Sequence, residues 1–124
     1  VSSSKTAEPW PTDIAYDPAA KTLRVAFDNG DAFDLAAEYL RVESPSAEVQ
    51  GHSPEQRVTV GGRRHVGIMD IQPVGNYAVR LIFDDLHDTG IYSWRYFHEL
   101  GRDYAPRWEK YLADLAAKGM TREP

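Results

Sequence analysis

Leu23, Val25 and Phe27 occupy every second position of Thr22-Leu23-Arg24-Val25-Ala26-Phe27-Asp28, and Asn29-Gly30 follows directly. Side chains on a strand alternate between its two faces, so this spacing predicts a half-buried strand. Asn-Gly tolerates the positive φ of a tight turn, so the chain should return through Asp31-Ala32-Phe33-Asp34-Leu35 as a hairpin. Ile14-Ala15-Tyr16 reads as a third strand, joined by a turn over residues 17–21 to complete an antiparallel meander. This pattern ties the first third of the chain to antiparallel β-structure.

A second group follows the same logic. Residues 66–74 alternate on both faces, which suggests a central strand, and Gly75-Asn76 supplies a turn. Tyr77, Val79, Leu81 and Phe83 then share one face of the clearest strand, and residues 88–92 make a short last strand. Helices are expected at 36–42 with Asp34 as cap, at 94–100 capped by Ser93 and stopped at Gly101, and at 105–118 with Pro106 in the first turn. Trp108, Tyr111, Leu112 and Leu115 form the apolar stripe of that last helix, expected to pack on the sheet. Residues 43–57 read as loop after the break at Ser44-Pro45. Val58-Thr59-Val60 reads as a small strand, and Gly61-Gly62-Arg63-Arg64-His65 as a solvated hairpin tip. The resulting fold class is α+β: antiparallel sheets, a meander plus a second antiparallel group, covered by two or three helices. Residues 1–12 and 119–124 are read as tails around a single domain at 13–118.

At 124 residues the chain holds one core. Its net charge of −5 argues against a nucleic-acid surface. The absence of cysteine excludes disulfides, thiolate metal sites and cysteine nucleophiles within the chain. No apolar run has the length of a membrane span, and no apolar signal core opens the sequence, so the expected location is cytoplasmic. Neither a Gly-x-Ser-x-Gly elbow nor a phosphate loop is present, which speaks against a stand-alone enzyme.

Three separated stretches carry a family resemblance. They are Leu40-Arg41-Val42-Glu43-Ser44-Pro45-Ser46-Ala47-Glu48-Val49-Gln50-Gly51-His52, then Val66-Gly67-Ile68 with Pro73-Val74-Gly75-Asn76-Tyr77-Ala78, then Asp88-Thr89-Gly90-Ile91-Tyr92-Ser93-Trp94. Over roughly residues 12–103 the sequence resembles the DUF971 family, itself similar to the N-terminal domain of gamma-butyrobetaine hydroxylase. The resemblance implies a domain that accompanies catalysis rather than performing it. It also implies a zinc loop of the form Cys-Pro-Cys-x-x-Cys, with one histidine from a later segment. Here that loop reads Ser44-Pro45-Ser46-Ala47-Glu48-Val49, without thiolates, and the later histidine corresponds to His87. A similar domain fused to ATPases that carry iron–sulfur clusters implies an accessory role in cluster assembly, with an iron–sulfur or redox protein as partner.

Two function classes follow. In the first, the chain is a non-catalytic binding module whose working surface is the 41–52 loop and the 84–94 segment, with Arg41, Ser44, Ser46, Glu48, Gln50, Tyr92 and Trp94 facing a protein partner. In the alternative, it binds iron or zinc through His52 and His87 with a nearby carboxylate, Asp85 foremost and Glu48, Asp84 or Asp88 as further oxygen donors. The aspartates at 84, 85 and 88 otherwise read as a solvated loop tip. His65 and His98 read as surface residues.

Overall fold

The computed structural model describes residues 9–124. Two three-stranded antiparallel sheets share one core. The first has the order β1-β2-β3, with β1 at Pro11–Asp17, β2 at Thr22–Phe27 and β3 at Ala32–Ala36. The second has the order β4-β5-β6, with β4 at Ile68–Val74, β5 at Ala78–Phe83 and β6 at Ile91–Ser93. Leu23, Val25, Phe27 and Leu35 from one sheet meet Val79, Leu81 and Phe83 from the other, with Tyr92, Phe97 and Leu100 alongside. The alternation read from the sequence therefore points inward on β2 and, from Val79 onward, on β5; Tyr77, read on the same face, precedes the strand and is 56% exposed. The fold is α+β, as that alternation predicts.

Several local expectations give way to geometry. The turn after β2 is not a two-residue Asn-Gly loop. Gly30 N–H donates to Phe27 O at 3.1 Å and Phe27 N–H to Asp31 O at 2.8 Å, and Gly30 takes the positive φ of 93°. That is a type I turn closed by a glycine bulge. The segment expected as a central strand, β4, is an edge. Pro73 has no N–H to give a second neighbour, and a bulge between Ile68 and Asp70 turns Met69 outward. β5 is the central strand instead. Trp10, assigned to the N-terminal tail, pairs its backbone with Asp28 in both directions and sets its ring against Trp94 at 6.3 Å. Residues 1–8 of that tail lie outside the described residues.

Four α-helices follow from here: α1 at Ala37–Val42, α2 at Ala47–Gln50, α3 at Trp94–Arg102 and α4 at Tyr104–Ala117. α1 begins at an Ala36 cap rather than at Asp34, which instead pairs with Arg24 across β2 and β3 at 3.2 Å. The Lys21 carbonyl accepts the Ala37 N–H at 2.9 Å and so satisfies one of the helix's orphan donors. Ser93 caps α3 as expected, accepting from Tyr96 N–H at 3.1 Å. α3 continues through Gly101 to Arg102, and a Cβ at 101 would fall 2.2 Å from the Phe33 ring. The absent side chain lets helix and strand approach, so this glycine packs rather than stops the helix.

The region read as loop and hairpin is organised by side chains. α2 and a 3-10 turn at Pro54–Gln56 lie within residues 43–57, and residues 58–60 join neither sheet. Gly61 to His65 is not a hairpin tip. Gly62 N–H donates to Thr121 O at 2.9 Å and Arg64 N–H to Arg122 O at 3.0 Å, so residues 119–124, read as a tail, lie against it. The α4 stripe divides: Tyr111 and Leu115 join Val42 and Val60 in a second cluster, Trp108 packs against both this cluster and the main core, and Leu112 stays exposed.

Gly101→Ala tests the close approach of α3 to β3. Overpacking against a ring that cannot leave its strand should cost about 1–3 kcal/mol, read as a lower urea midpoint with unchanged slope.

Candidate functional site

Every residue of α1 is buried, including Glu38 and Arg41, and Glu43 just beyond it is buried as well. Charges can sit there only if each finds a partner. Glu38 takes both arms of Arg122, at 2.6 and 2.8 Å. Glu43 accepts from Arg57 and from Arg107 at 2.9 Å each. Arg41 donates through Nε to Asp85 Oδ2 at 2.8 Å, and Arg63 Nε reaches the same oxygen at 2.6 Å. Asp85 Oδ1 also accepts the His87 backbone N–H at 3.1 Å. Asp85 is thus a half-buried clamp on two guanidiniums rather than a solvated aspartate.

The turn containing Asp85 delivers His87 into the interior beside the 44–48 loop. His87 Nε2 lies 2.9 Å from Ser44 Oγ, and Nδ1 lies 3.3 Å from Glu48 Oε2. A carboxylate can only accept, so Nδ1 carries the proton and Nε2 accepts from the Ser44 hydroxyl. Ser44 Oγ in turn accepts from Ser46 N–H at 3.2 Å, and Ser46 Oγ meets Thr89 Oγ1 at 2.7 Å. Gln50 closes the loop from below, donating to Ser44 O at 2.8 Å. Tyr92 donates its hydroxyl to the Leu40 carbonyl.

Burial lowers the pKa of His87 from its ordinary 6.5, and the Arg41 charge lowers it further, while Glu48 and Asp85 oppose. Burial alone would raise Asp85, but the hydrogen bonds from Arg41 and the His87 N–H, the Arg41 charge and the Arg63 bond prevail and hold it below 3.8. The imidazole is therefore a neutral hydrogen-bonding link in the neutral pH range.

The order Ser44, His87, Glu48 matches that of a serine triad. Its chemistry differs, because Ser44 is 0% exposed and no substrate carbonyl can approach its hydroxyl. As a metal site the loop also fails on its donors. Ser44, Ser46 and Val49 stand where the resemblance calls for thiolates, and both nitrogens of His87 are engaged. Among the described residues no group of three or more His, Asp or Glu side chains is arranged to hold a metal ion. Asp85 is committed to two guanidiniums, and His52 is exposed, its backbone N–H held by Gln56 at 2.8 Å.

The structure gathers Arg41, Ser44, Ser46, Glu48, Gln50, Asp85 and His87 into one network. It leaves out His52, and also Trp94, whose Nε1 donates to Asn76 O at 2.9 Å on the far end of β5. Arg41, Ser44, Ser46 and Tyr92 are buried; they build the loop from within and do not face a partner. Glu48 remains the exposed member. His98, read as surface, pairs with Asp31 at 2.7 Å and packs its ring on Phe27 and Phe33. Sequence reasoning missed Arg57, Arg63, Thr89 and Arg107, since spacing carries no signal for partners 14 to 64 residues away.

The pKa directions fix the sign of a pH effect. The folded state resists protonation of His87, so its contribution is complete above about pH 6.5 and declines as the unfolded chain takes up protons below it. The Asp85 contribution is present above its unfolded value and is lost as pH falls through the lower folded one. His87→Gln should lower the thermal midpoint near neutral pH yet flatten its fall between about pH 6.5 and 5, measured by circular dichroism melts of both proteins.

Comparison with known proteins agrees with this architecture. The family model described as gamma-butyrobetaine hydroxylase-like, N-terminal, matches residues 14–98. Two proteins solved by NMR in solution are 44% and 46% identical, with TM-scores of 0.81 and 0.82. The first alignment covers 95% of this chain and 93% of the other; the second covers 97% and 89%. A DUF971 protein of unknown function from Acidithiobacillus ferrooxidans, known from a crystal structure, is 34% identical with a TM-score of 0.64 over 77% of this chain and 98% of its own. No curated protein matches. With the family model matched over residues 14–98 and a DUF971 protein 34% identical across 77% of the sequence, the chain belongs to the gamma-butyrobetaine hydroxylase-like N-terminal family, DUF971.

Proposed function

We propose that this chain is a non-catalytic docking module whose working surface is the tip between β5 and β6, offered to an apolar pocket bordered by basic side chains on a partner protein. Leu86 carries the reading. It is 78% exposed, the most exposed of the large hydrophobic residues in the described structure, and holds φ at +73°. Its turn copies the one after β2: Leu86 N–H donates to Phe83 O at 3.0 Å and Phe83 N–H to His87 O at 3.0 Å. Gly30 occupies the same place in the earlier turn. A leucine in that conformation is strained by about 1–2 kcal/mol. Strain of this kind gathers at functional positions.

The flanking charges specify the partner. Asp84 and Asp88 are exposed on either side of the tip, whereas Asp85 and His87 are turned inward to anchor it. An apolar knob between free carboxylates suits a pocket rimmed with lysine or arginine. The resemblance to domains fused with cluster-carrying ATPases favours an iron–sulfur or redox protein in the cytoplasm as that partner. No described helix is long and apolar enough to cross a membrane, so nothing among them competes as an anchor.

Leu86→Gly should raise stability by about 0.5–1 kcal/mol, because strain is relieved and no burial is lost. A photo-crosslinking residue at position 86, compared with one at exposed Met69, supplies the functional readout in native cells. A discrete protein adduct specific to position 86, lost when Asp84 and Asp88 become lysine, is expected. Equal or absent labelling at the two positions overturns the docking reading, and an adduct unrelated to iron–sulfur or redox proteins overturns the choice of partner.

A further inference from the structure

A cleft of about 410 Å3 lies between the first half of α4 and the extended segment 57–60. Its volume is in the range of small-molecule sites. Val42, Val58, Val60 and Tyr111 give it apolar walls. Its buried polar group is Glu43, whose side chain is 5% exposed and lies between Arg57 and Arg107 at 2.9 Å on each side.

Arg57, Arg107 and Lys110 line the cleft together with Glu43, Asp103 and Asp114, so its charges balance, and what is left over is donor capacity rather than charge. Arg57 makes both of its bonds, to Glu43 and to the Val42 carbonyl, through Nη2, so Nε and Nη1 remain to donate. α4 starts at Tyr104 and brings the positive end of its backbone dipole to the same corner. The free edge of the Arg57 guanidinium beside apolar walls suits an anion with a hydrocarbon body. The two oxygens of a carboxylate fit that fork; a phosphate dianion would bring a second negative charge up to Asp103 and Asp114.

We propose that the cleft binds a small organic carboxylate with a short aliphatic body, its head on Arg57 and Arg107 and its tail along the valines. The site is separate from the Leu86 tip, so either can fail alone.

The test is a titration of the 15N-labelled full chain with sodium hexanoate, followed by amide shifts, with hexanamide and inorganic phosphate as comparisons. Saturating shifts confined to residues 57–60 and 104–111 are expected, with hexanamide weaker by about tenfold. Val58→Glu alters a half-exposed wall residue outside the Glu43 pairs and should fold. Its carboxylate should occupy the guanidiniums and abolish hexanoate binding. No saturating shift, equal response to hexanamide or phosphate, or unchanged binding in Val58→Glu would each overturn the site.

Discussion

A six-residue helix buried on every side is the constraint from which the rest of this molecule follows. α1 carries Glu38 and Arg41, with Glu43 as its C-cap, and all three are buried. Removing one member of a buried ion pair strands the other at a cost of about 3–5 kcal/mol. Each charge therefore dictates where a distant segment must lie. Arg122 brings the C-terminal residues back to Glu38, Arg57 and Arg107 bring the 57–60 segment and α4 to Glu43, and Asp85 brings the β5–β6 turn to Arg41. A helix this short would not persist alone; its partners hold it as firmly as it holds them.

The same pairing decides what the 44–50 loop can do. With Asp85 clamped by Arg41 and Arg63, His87 has one direction to take, inward, and meets Ser44 and Glu48. In a family whose relatives are implied to use thiolates at this loop, hydroxyls and an imidazole close it by hydrogen bonds. Hydroxyl to imidazole to carboxylate is a satisfied chain needing no ion, and satisfied buried polar networks rigidify their surroundings. Rigidity below the tip is what permits Leu86 to stand out above it in a backbone conformation that leucine avoids.

Tip and cleft thus share a cause. Both are surfaces left over after the buried charges have been paired: one where a turn is anchored so tightly that an apolar side chain must face water, the other where two arginines converge on a single carboxylate. Tyr96 adds to the second, donating its hydroxyl to the Glu43 carbonyl, with burial first and the Glu43 charge next pushing its pKa up to about 12. The proposed function and the proposed ligand therefore concern different faces of one scaffold organised around α1.

Strand positions, the inward faces of β2 and β5, the Ser93 cap and the extent of α4 were legible from the chain itself, because they rest on periodicity and on contacts within a few residues. The family was legible as well, from three motifs kept in order. Arg41 and Glu43 were not legible as buried, nor Asp85 as half-buried, since a charged residue on a short helix or in an acidic turn ordinarily faces solvent. Nor could spacing reveal that Arg57, Arg63, Arg107 and Arg122 answer them, or that β4 is an edge, or that His52 and His87 part company. Local patterns determined which elements form; only tertiary structure decided which charges meet, because a buried ion pair depends on distance in space and leaves no period along the sequence.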